Sequence, residues 1–323
     1  MKTWRVEQWC DPDGMRWAEV DPPEPGAGQV RIKVAAAALN FLDTLMIAGK
    51  YQVKPALPFT PGVELAGVVD AAGPGSRHAV GTRVCANVPT GGYAEYAVAD
   101  DAAAAAVPDG VDLAVAATLP IVFPTAHLCL RDAGRLAAGE TVLVTAAAGG
   151  VGLAAIQLAK AWGAARVIAL AGGDAKLAVC RDMGADVLID YNRPDWFEQA
   201  RAAAGPGADI VVDMVGGAVA EQALRLLAWR GRFVVVGFAG GAIPSIAANR
   251  LLLKSATAVG VFWGATTQKE PQLAASVFAD LFRMVAEGSL RPIVTRRYAL
   301  AQAPQAMKDL ASRATAGKVV LVP

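Results

Sequence analysis

Gly149, Gly150 and Gly152 lie between an apolar run, Thr141 to Ala146, and a segment with helical spacing, Val151 to Trp162. Val142 and Val144 favour an extended chain, so the first run predicts a buried strand. The glycines let the backbone turn sharply and come close to a ligand. A helix that opens at such a turn points its free N–H groups and positive dipole end outward, which suits a pyrophosphate. In the pattern G-x-G-x-x-G, Ala147 stands at the first position and Gly149 and Gly152 hold the other two. Val151, Ala154, Ala155, Leu158 and Trp162 form the apolar face of the helix, and Gly163 is its expected stop. A second strand, Ala165 to Ala171, completes one βαβ unit. The spacing predicts a dinucleotide site. The alternative is a structural βα turn with no ligand.

The tip of the second strand selects the cofactor. An NAD site usually carries Asp or Glu there, holding the ribose 2′-hydroxyl. Here the residues are Ala171, Gly172, Gly173, Asp174, Ala175 and Lys176. No acid occupies the tip, Gly172 and its neighbours leave room, and Lys176 supplies positive charge. A 2′-phosphate needs both, so the expected cofactor is NADPH. Asp174 would repel a phosphate unless it caps the helix that follows. Lys176 could equally be a solvated surface residue.

These groups need a scaffold. The chain has 323 residues, of which 54% are hydrophobic and 18% charged, with a formal net charge of +1. That balance argues against nucleic acid or an anionic membrane as partner. No apolar run reaches the ~18 residues of a membrane span. Met1 to Val6 reads as the start of a strand, not as a signal peptide. Cys10, Cys85, Cys129 and Cys180 are scattered without C-x-x-C spacing, which predicts reduced thiols and a cytoplasmic protein. Up to about residue 120, short strand-like runs alternate with Gly and Pro, the pattern of a mostly antiparallel β domain. From Thr125 helices and strands alternate, which predicts a doubly wound parallel sheet. The fold class is therefore α/β: a Rossmann-type sheet plus a smaller β domain. Expected domains are 1–123 with 264–323, and 124–263, with the cofactor in the cleft at the strands' carboxyl ends.

Several motifs now align with one family. They are Ala38-Leu-Asn-Phe-Leu-Asp-Thr44, Gly49-Lys-Tyr51, Leu57-Pro-Phe-Thr-Pro-Gly-Val-Glu-Leu-Ala-Gly67, Pro124-Thr-Ala126, Ala146-Ala-Ala-Gly-Gly-Val-Gly152 and Gly317-Lys-Val-Val-Leu321. Over essentially its whole length the chain resembles the zinc-independent quinone oxidoreductases of the medium-chain dehydrogenase/reductase superfamily. The resemblance implies a GroES-like domain beside the Rossmann domain, NADPH as hydride donor, and often a homodimer. Zinc alcohol dehydrogenases share the fold. Asn40 stands where their first zinc ligand is a cysteine, and Val63 where a histidine precedes the glutamate. Only two histidines exist, His78 and His127, and zinc needs three or four N or S ligands. No metal is expected.

The resemblance also implies site residues. Asn40 and Tyr51 become candidate hydrogen-bond donors to an oxygen that gains negative charge, and Asp43 a residue that orients its neighbours. Asn40 could also hold the nicotinamide ribose, or be a turn residue. Tyr51 is the proposed proton donor in related enoyl thioester reductases, or else an aromatic anchor of its loop. For the cofactor, Thr125 is expected near the nicotinamide phosphate, and Gly149, Gly150 and Val151 at the pyrophosphate. Gly172, Lys176 and Tyr191 are expected around the 2′-phosphate. Gly237, Phe238, Phe262 and Trp263 should border the nicotinamide, unless the aromatics are core residues, and Lys318 should reach toward the cofactor. The expected activity is hydride transfer from NADPH to a small molecule, a quinone or a related α,β-unsaturated carbonyl. The alternatives are an enoyl thioester reductase using Tyr51, or a nucleotide-binding crystallin-like protein with little catalysis. A homodimer would pair the strand Ala256 to Phe262 with its copy.

Overall fold

In the computed structural model, which describes residues 1–323, the chain opens with an antiparallel hairpin, β1 (Lys2–Arg5) and β2 (Arg16–Glu19). Next comes β3 (Gln29–Ala38), whose buried Val30, Ile32 and Val34 follow the two-residue period of a strand. A short helix, α1 (Phe41–Ile47), leads to β4 (Glu64–Ala72), β5 (Arg83–Asn87), β6 (Tyr96–Asp100), β7 (Ala104–Ala106) and the short α2 (Leu113–Ala116). β3 pairs antiparallel with both β4 and β6. Gly67 makes the first pairing possible, because a Cβ there would lie 2.0 Å from the Lys33 carbonyl oxygen.

The chain then enters α3 (Val122–His127), which runs into a wider π turn over Leu128–Ala133. Alternation follows: β8 (Thr141–Val144), α4 (Gly150–Ala161), β9 (Arg166–Ala171), α5 (Asp174–Asp182), β10 (Val187–Asp190), α6 (Trp196–Ala204), β11 (Ala208–Asp213), α7 (Gly217–Arg225) and β12 (Leu227–Val235). α8 (Ala248–Leu252), β13 (Thr257–Gly260), α9 (Trp263–Lys269) and α10 (Pro271–Ala286) close this part. Its six strands are all parallel, in the order β10-β9-β8-β11-β12-β13. The order reverses between β8 and β11, the switch point where such sheets bind ligands. Strands β8, β9 and β11 are buried on both faces and apolar through their middles, as a sheet covered by helices requires.

Finally β14 (Val294–Ala299), α11 (Ala303–Ala311) and β15 (Lys318–Val322) rejoin the first sheet. β15 pairs antiparallel with the end of β3, Val320 opposite Ala38, and parallel with β14. Two units result: Met1–Ile121 with Pro292–Pro323, and Val122–Arg291. The expected boundary at 263/264 moves to 291/292. The reason is α10, whose buried Ala274, Val277, Leu281 and Met284 form one apolar stripe. Phe278 of α10 packs on Trp263 at 5.7 Å, and Asp280 bonds His127 of α3 at 3.1 Å. A helical stripe reads the same whichever body it covers, so spacing alone did not assign it.

Candidate active site

In the first unit, a polar cluster sits where β3, β4 and β15 end or begin. Asn40 follows β3 in extended conformation and starts α1. Three residues on, Asp43 turns back and its Oδ2 accepts the Asn40 backbone N–H at 2.8 Å, one half of a capping box. The same oxygen accepts the Tyr93 hydroxyl at 2.9 Å. Glu64, at the head of β4, is fully buried. Its Oε1 accepts the Ile121 N–H at 2.8 Å. Its Oε2 accepts the Lys318 ammonium at 2.7 Å and the Asn40 amide at 2.8 Å. Lys318 also donates to the Leu39 carbonyl at 2.9 Å and to Asn40 Oδ1 at 2.8 Å. All three ammonium protons thus have partners. Breaking such a buried pair by removing one partner costs about 3–5 kcal/mol, because the other charge is left uncompensated.

Asp43 is different. Its Oδ1 is buried and has no hydrogen-bond partner. Burial pushes the carboxyl up from 3.8 to about 7, against the N–H of Asn40, the Tyr93 hydroxyl and the Lys318 charge, which lower it. The folded value exceeds the unfolded one, so the native state holds the extra proton between them. Stability should therefore fall as pH rises from about 4 to about 7 and level off above. Asp43 should contribute about 2 kcal/mol of that loss between pH 5 and pH 8. Urea unfolding at those two pH values will test this: Asp43→Asn should flatten the profile, and an unchanged slope would remove Asp43 as its source. Tyr51 packs against the core of this unit, and burial, then the Asp43 charge, raises its phenol.

In the second unit, β8 leads into the glycine turn. The left-handed residue of that turn is Ala146, at φ 45°, and not Ala147. Gly149 donates to the Ala146 carbonyl at 2.9 Å and stands just before α4. At Gly152 a Cβ would come within 2.5 Å of the Ala147 carbonyl oxygen, so the first turn of α4 rests directly on the turn backbone. The switch point is locked by two buried side chains. Thr145 donates its hydroxyl to Asp213 at 2.6 Å and accepts the Met214 N–H at 3.0 Å. Asp213 also accepts the N–H groups of Gly216 at 3.0 Å and Val215 at 3.3 Å, while burial raises its carboxyl. The tips of β9 and β10 are adjacent, with Ala171 opposite Asp190. A Cβ on Gly172 would lie 2.7 Å from the Asn192 amide and 3.6 Å from the Tyr191 ring.

Sequence comparison adds what geometry leaves open. Residues 26–109 match the alcohol dehydrogenase GroES-like domain, and residues 150–279 match a family described as zinc-binding dehydrogenase. Rat quinone oxidoreductase-like protein 2 is 38% identical over 94% of this chain and 87% of its own. The chain belongs to the quinone oxidoreductase family. It is an oxidoreductase of the medium-chain dehydrogenase/reductase superfamily, with a GroES-like and a Rossmann unit. A mycobacterial protein solved with NADPH superposes at a TM-score of 0.93 with 35% identity, each chain covered in full. Escherichia coli quinone oxidoreductase, also solved with NADPH, gives 0.92 and 29%, again over both full chains.

Within this family member, the expected residues fall into two groups. Asn40, Asp43 and Lys318 meet in one hydrogen-bonded cluster of the first unit, with Tyr51 near Asp43. Lys318 is buried, and its ammonium donates to Leu39, Asn40 and Glu64. In the second unit, Gly149 caps α4, and Gly150 and Val151 open it. Gly172 and Tyr191 follow the tips of β9 and β10, and Lys176 lies in the first turn of α5. Asp174 is not the cap of α5; Gly173 is, at φ 85°, and Asp174 is the first helical residue. Gly237 and Phe238 follow β12, and Phe238 approaches Gly216 beyond β11. Thr125 is buried in α3. Phe262 is exposed, whereas Trp263 is a core residue against Phe278. His127 is packed edge-on against Trp162. All four cysteines are unpaired, three of them buried.

Glu64, Tyr93, Thr145 and Asp213 were not singled out as functional from the sequence. A signal existed for two of them. Glu64 opens β4 beside Leu65 and Ala66, and Asp213 closes β11 after Ile210, Val211 and Val212, among apolar neighbours where an unpaired charge would be too costly.

Proposed function

We propose that this protein reduces quinones or related α,β-unsaturated carbonyls with NADPH, by direct hydride transfer and without zinc. The observation that carries the reading is the β9 tip, which has no acid and offers Gly172, Lys176 and Tyr191 beside the glycine turn. Gly149, Gly150 and Val151 would give backbone N–H groups to the pyrophosphate. The close packing of α4 on the turn, where a Cβ at Gly152 would meet the Ala147 carbonyl oxygen at 2.5 Å, supports a backbone site for the group. Thr125, Gly237, Phe238 and Phe262 are the candidates for the nicotinamide end. When bound, NADPH supplies the hydride: NADPH, a proton and a quinone give NADP⁺ and a hydroquinone. The Asn40 amide and the Tyr51 hydroxyl are the candidate donors to the acceptor's oxygen, where charge builds up. Asp43 holds the Asn40 backbone in place.

Zinc independence is supported by the donor set. Asn40 and Val63 stand at the positions of zinc ligands, and the Glu64 carboxylate is already neutralised by Lys318. These residues do not fit a zinc ion. No helix is long and apolar enough to cross a membrane, and the unpaired thiols support a reducing, cytoplasmic setting. The exposed edge strand β13, with Trp229, Leu252 and Leu253 exposed on the same unit, supports a homodimer. Sedimentation should return twice the chain mass; a monomer at micromolar concentration would refute the pairing. Enoyl thioesters are the second reading, favoured by Tyr51.

Titration with NADPH and NADH tests the cofactor reading. Lys176→Ala should weaken NADPH binding about 10–100-fold, the loss of one charge-assisted contact, and leave NADH binding unchanged. An unchanged preference would refute the 2′-phosphate assignment. Turnover of NADPH with 1,4-benzoquinone, a trans-2-enal and crotonyl-CoA separates the acceptors. No turnover with any of them, despite tight NADPH binding, would favour a nucleotide-binding protein with little catalysis.

A further inference from the structure

We propose that Glu64 and Lys318 are positioning residues that fix the Asn40 amide in one orientation, so that it offers the substrate oxygen a hydrogen-bond donor. The inference rests on the reading of Asn40 as a residue that faces the acceptor. An asparagine amide has a donor end and an acceptor end that differ little in shape, and a half-turn about its last bond exchanges them. In most settings the two orientations compete. Here they do not. The Lys318 ammonium has only donors, and it lies 2.8 Å from Oδ1. The Glu64 carboxylate has only acceptors, and it lies 2.8 Å from Nδ2. A flipped amide would set N–H groups against an ammonium and an oxygen against a carboxylate, both buried. The two charges also hold each other at 2.7 Å, so neither can turn aside to relieve the clash. At the other end of the residue, the Asn40 backbone N–H is tied to Asp43.

One amide proton remains. Its nearest acceptor is the Ala38 carbonyl at 3.5 Å, beyond the usual N–H···O range of about 2.7–3.2 Å. That proton can be given to an incoming oxygen at little loss. Reduction of a carbonyl or quinone places negative charge on oxygen, which a donor stabilises and an acceptor would repel. A buried ion pair that touches no substrate thus determines the sign of the dipole the substrate meets.

The test is a set of variants read in three ways. Glu64→Gln with Lys318→Met removes both charges while keeping similar volumes, so that no lone charge is left buried. The Asn40 side-chain NH₂ resonances, followed by ¹⁵N NMR, should form one widely split pair in the native protein and collapse toward the free-amide position in the double variant. With a quinone acceptor, kcat should fall by about 10-fold or more, toward the ~100-fold typical of a lost oxyanion donor, while the KM for NADPH stays within about twofold. Adding Asn40→Ala to the double variant should lower kcat by less than Asn40→Ala lowers it in the native protein, because the pair acts through that amide. If the double variant does not fold, Glu64→Asp, which keeps both charges but draws the carboxylate away from Nδ2, should show a smaller change in the same direction in both the NMR splitting and kcat. Unchanged resonances in a folded variant, kcat within threefold of native, or a full further loss on adding Asn40→Ala would each overturn the proposal. A locked amide in a native protein that reduces no acceptor would instead overturn the reductase reading and leave the lock standing.

Discussion

Gly152→Ala should lower NADPH affinity by about 100-fold and cost about 2–3 kcal/mol of stability. The added Cβ would meet the Ala147 carbonyl oxygen at 2.5 Å and its carbonyl carbon and Cα at 2.6 Å. These are backbone atoms of the turn, so no side-chain rotation relieves the overlap. The first turn of α4 must move outward, and with it the N–H groups of Gly150 and Val151. Hydrogen bonds to a phosphate weaken steeply with such misalignment. Gly149→Ala is the control: its Cβ would be 3.2 Å from the Ala146 carbonyl oxygen, a contact a small shift can relieve. Calorimetric titration and thermal unfolding of both variants decide the matter. If Gly152→Ala binds like the native protein, the turn is not the pyrophosphate cradle.

Asp213→Ala should destabilise the protein by about 3–5 kcal/mol, the cost of orphaning several buried hydrogen-bond donors at once. Three donors lose their acceptor at once: the Thr145 hydroxyl and the N–H groups of Val215 and Gly216. Each is buried or nearly so, and an orphaned buried group costs about 1–3 kcal/mol. For a unit of this size, that corresponds to a fall in Tm of roughly 10 °C. Asp213→Asn separates charge from geometry. Its oxygen can still accept from Thr145, but its amide would face the Gly216 N–H, so about half the loss should remain. A melting point within 2 °C of native for Asp213→Ala would show that the strand tips hold without the lock.

The same two sites show what is legible in the sequence. The βαβ unit could be read because everything it needs is local: Val142 and Val144, then the glycines, then Leu158 and Trp162 at helical spacing. Even so, the left-handed residue proved to be Ala146, a position no glycine marks. The choice between Asp174 and Gly173 as cap turned on one backbone angle, which composition does not carry. Trp263 was open between a nicotinamide neighbour and a core aromatic, and spacing could not show that it is buried against Phe278. Asn40 and Asp43 were legible as neighbours. Their partners Glu64 and Lys318 were not, because 254 residues separate the two charges and no periodicity spans such a distance. Burial of opposite charges on different strands is settled by sheet order, which only the three-dimensional arrangement reveals.

β15 carries a consequence for biosynthesis. Lys318 reaches Asn40 across 278 residues of sequence, and the intervening chain includes the entire nucleotide-binding unit. On the ribosome, the amino-terminal sheet must wait, with the Glu64 charge uncompensated and one edge of the end of β3 unpaired, until that unit has been made. Contacts of such high order form slowly and leave strand edges open in the meantime. The nucleotide-binding unit, contiguous in sequence, is therefore the part that should mature first, and the donor cluster of the other unit should be the last element to assemble.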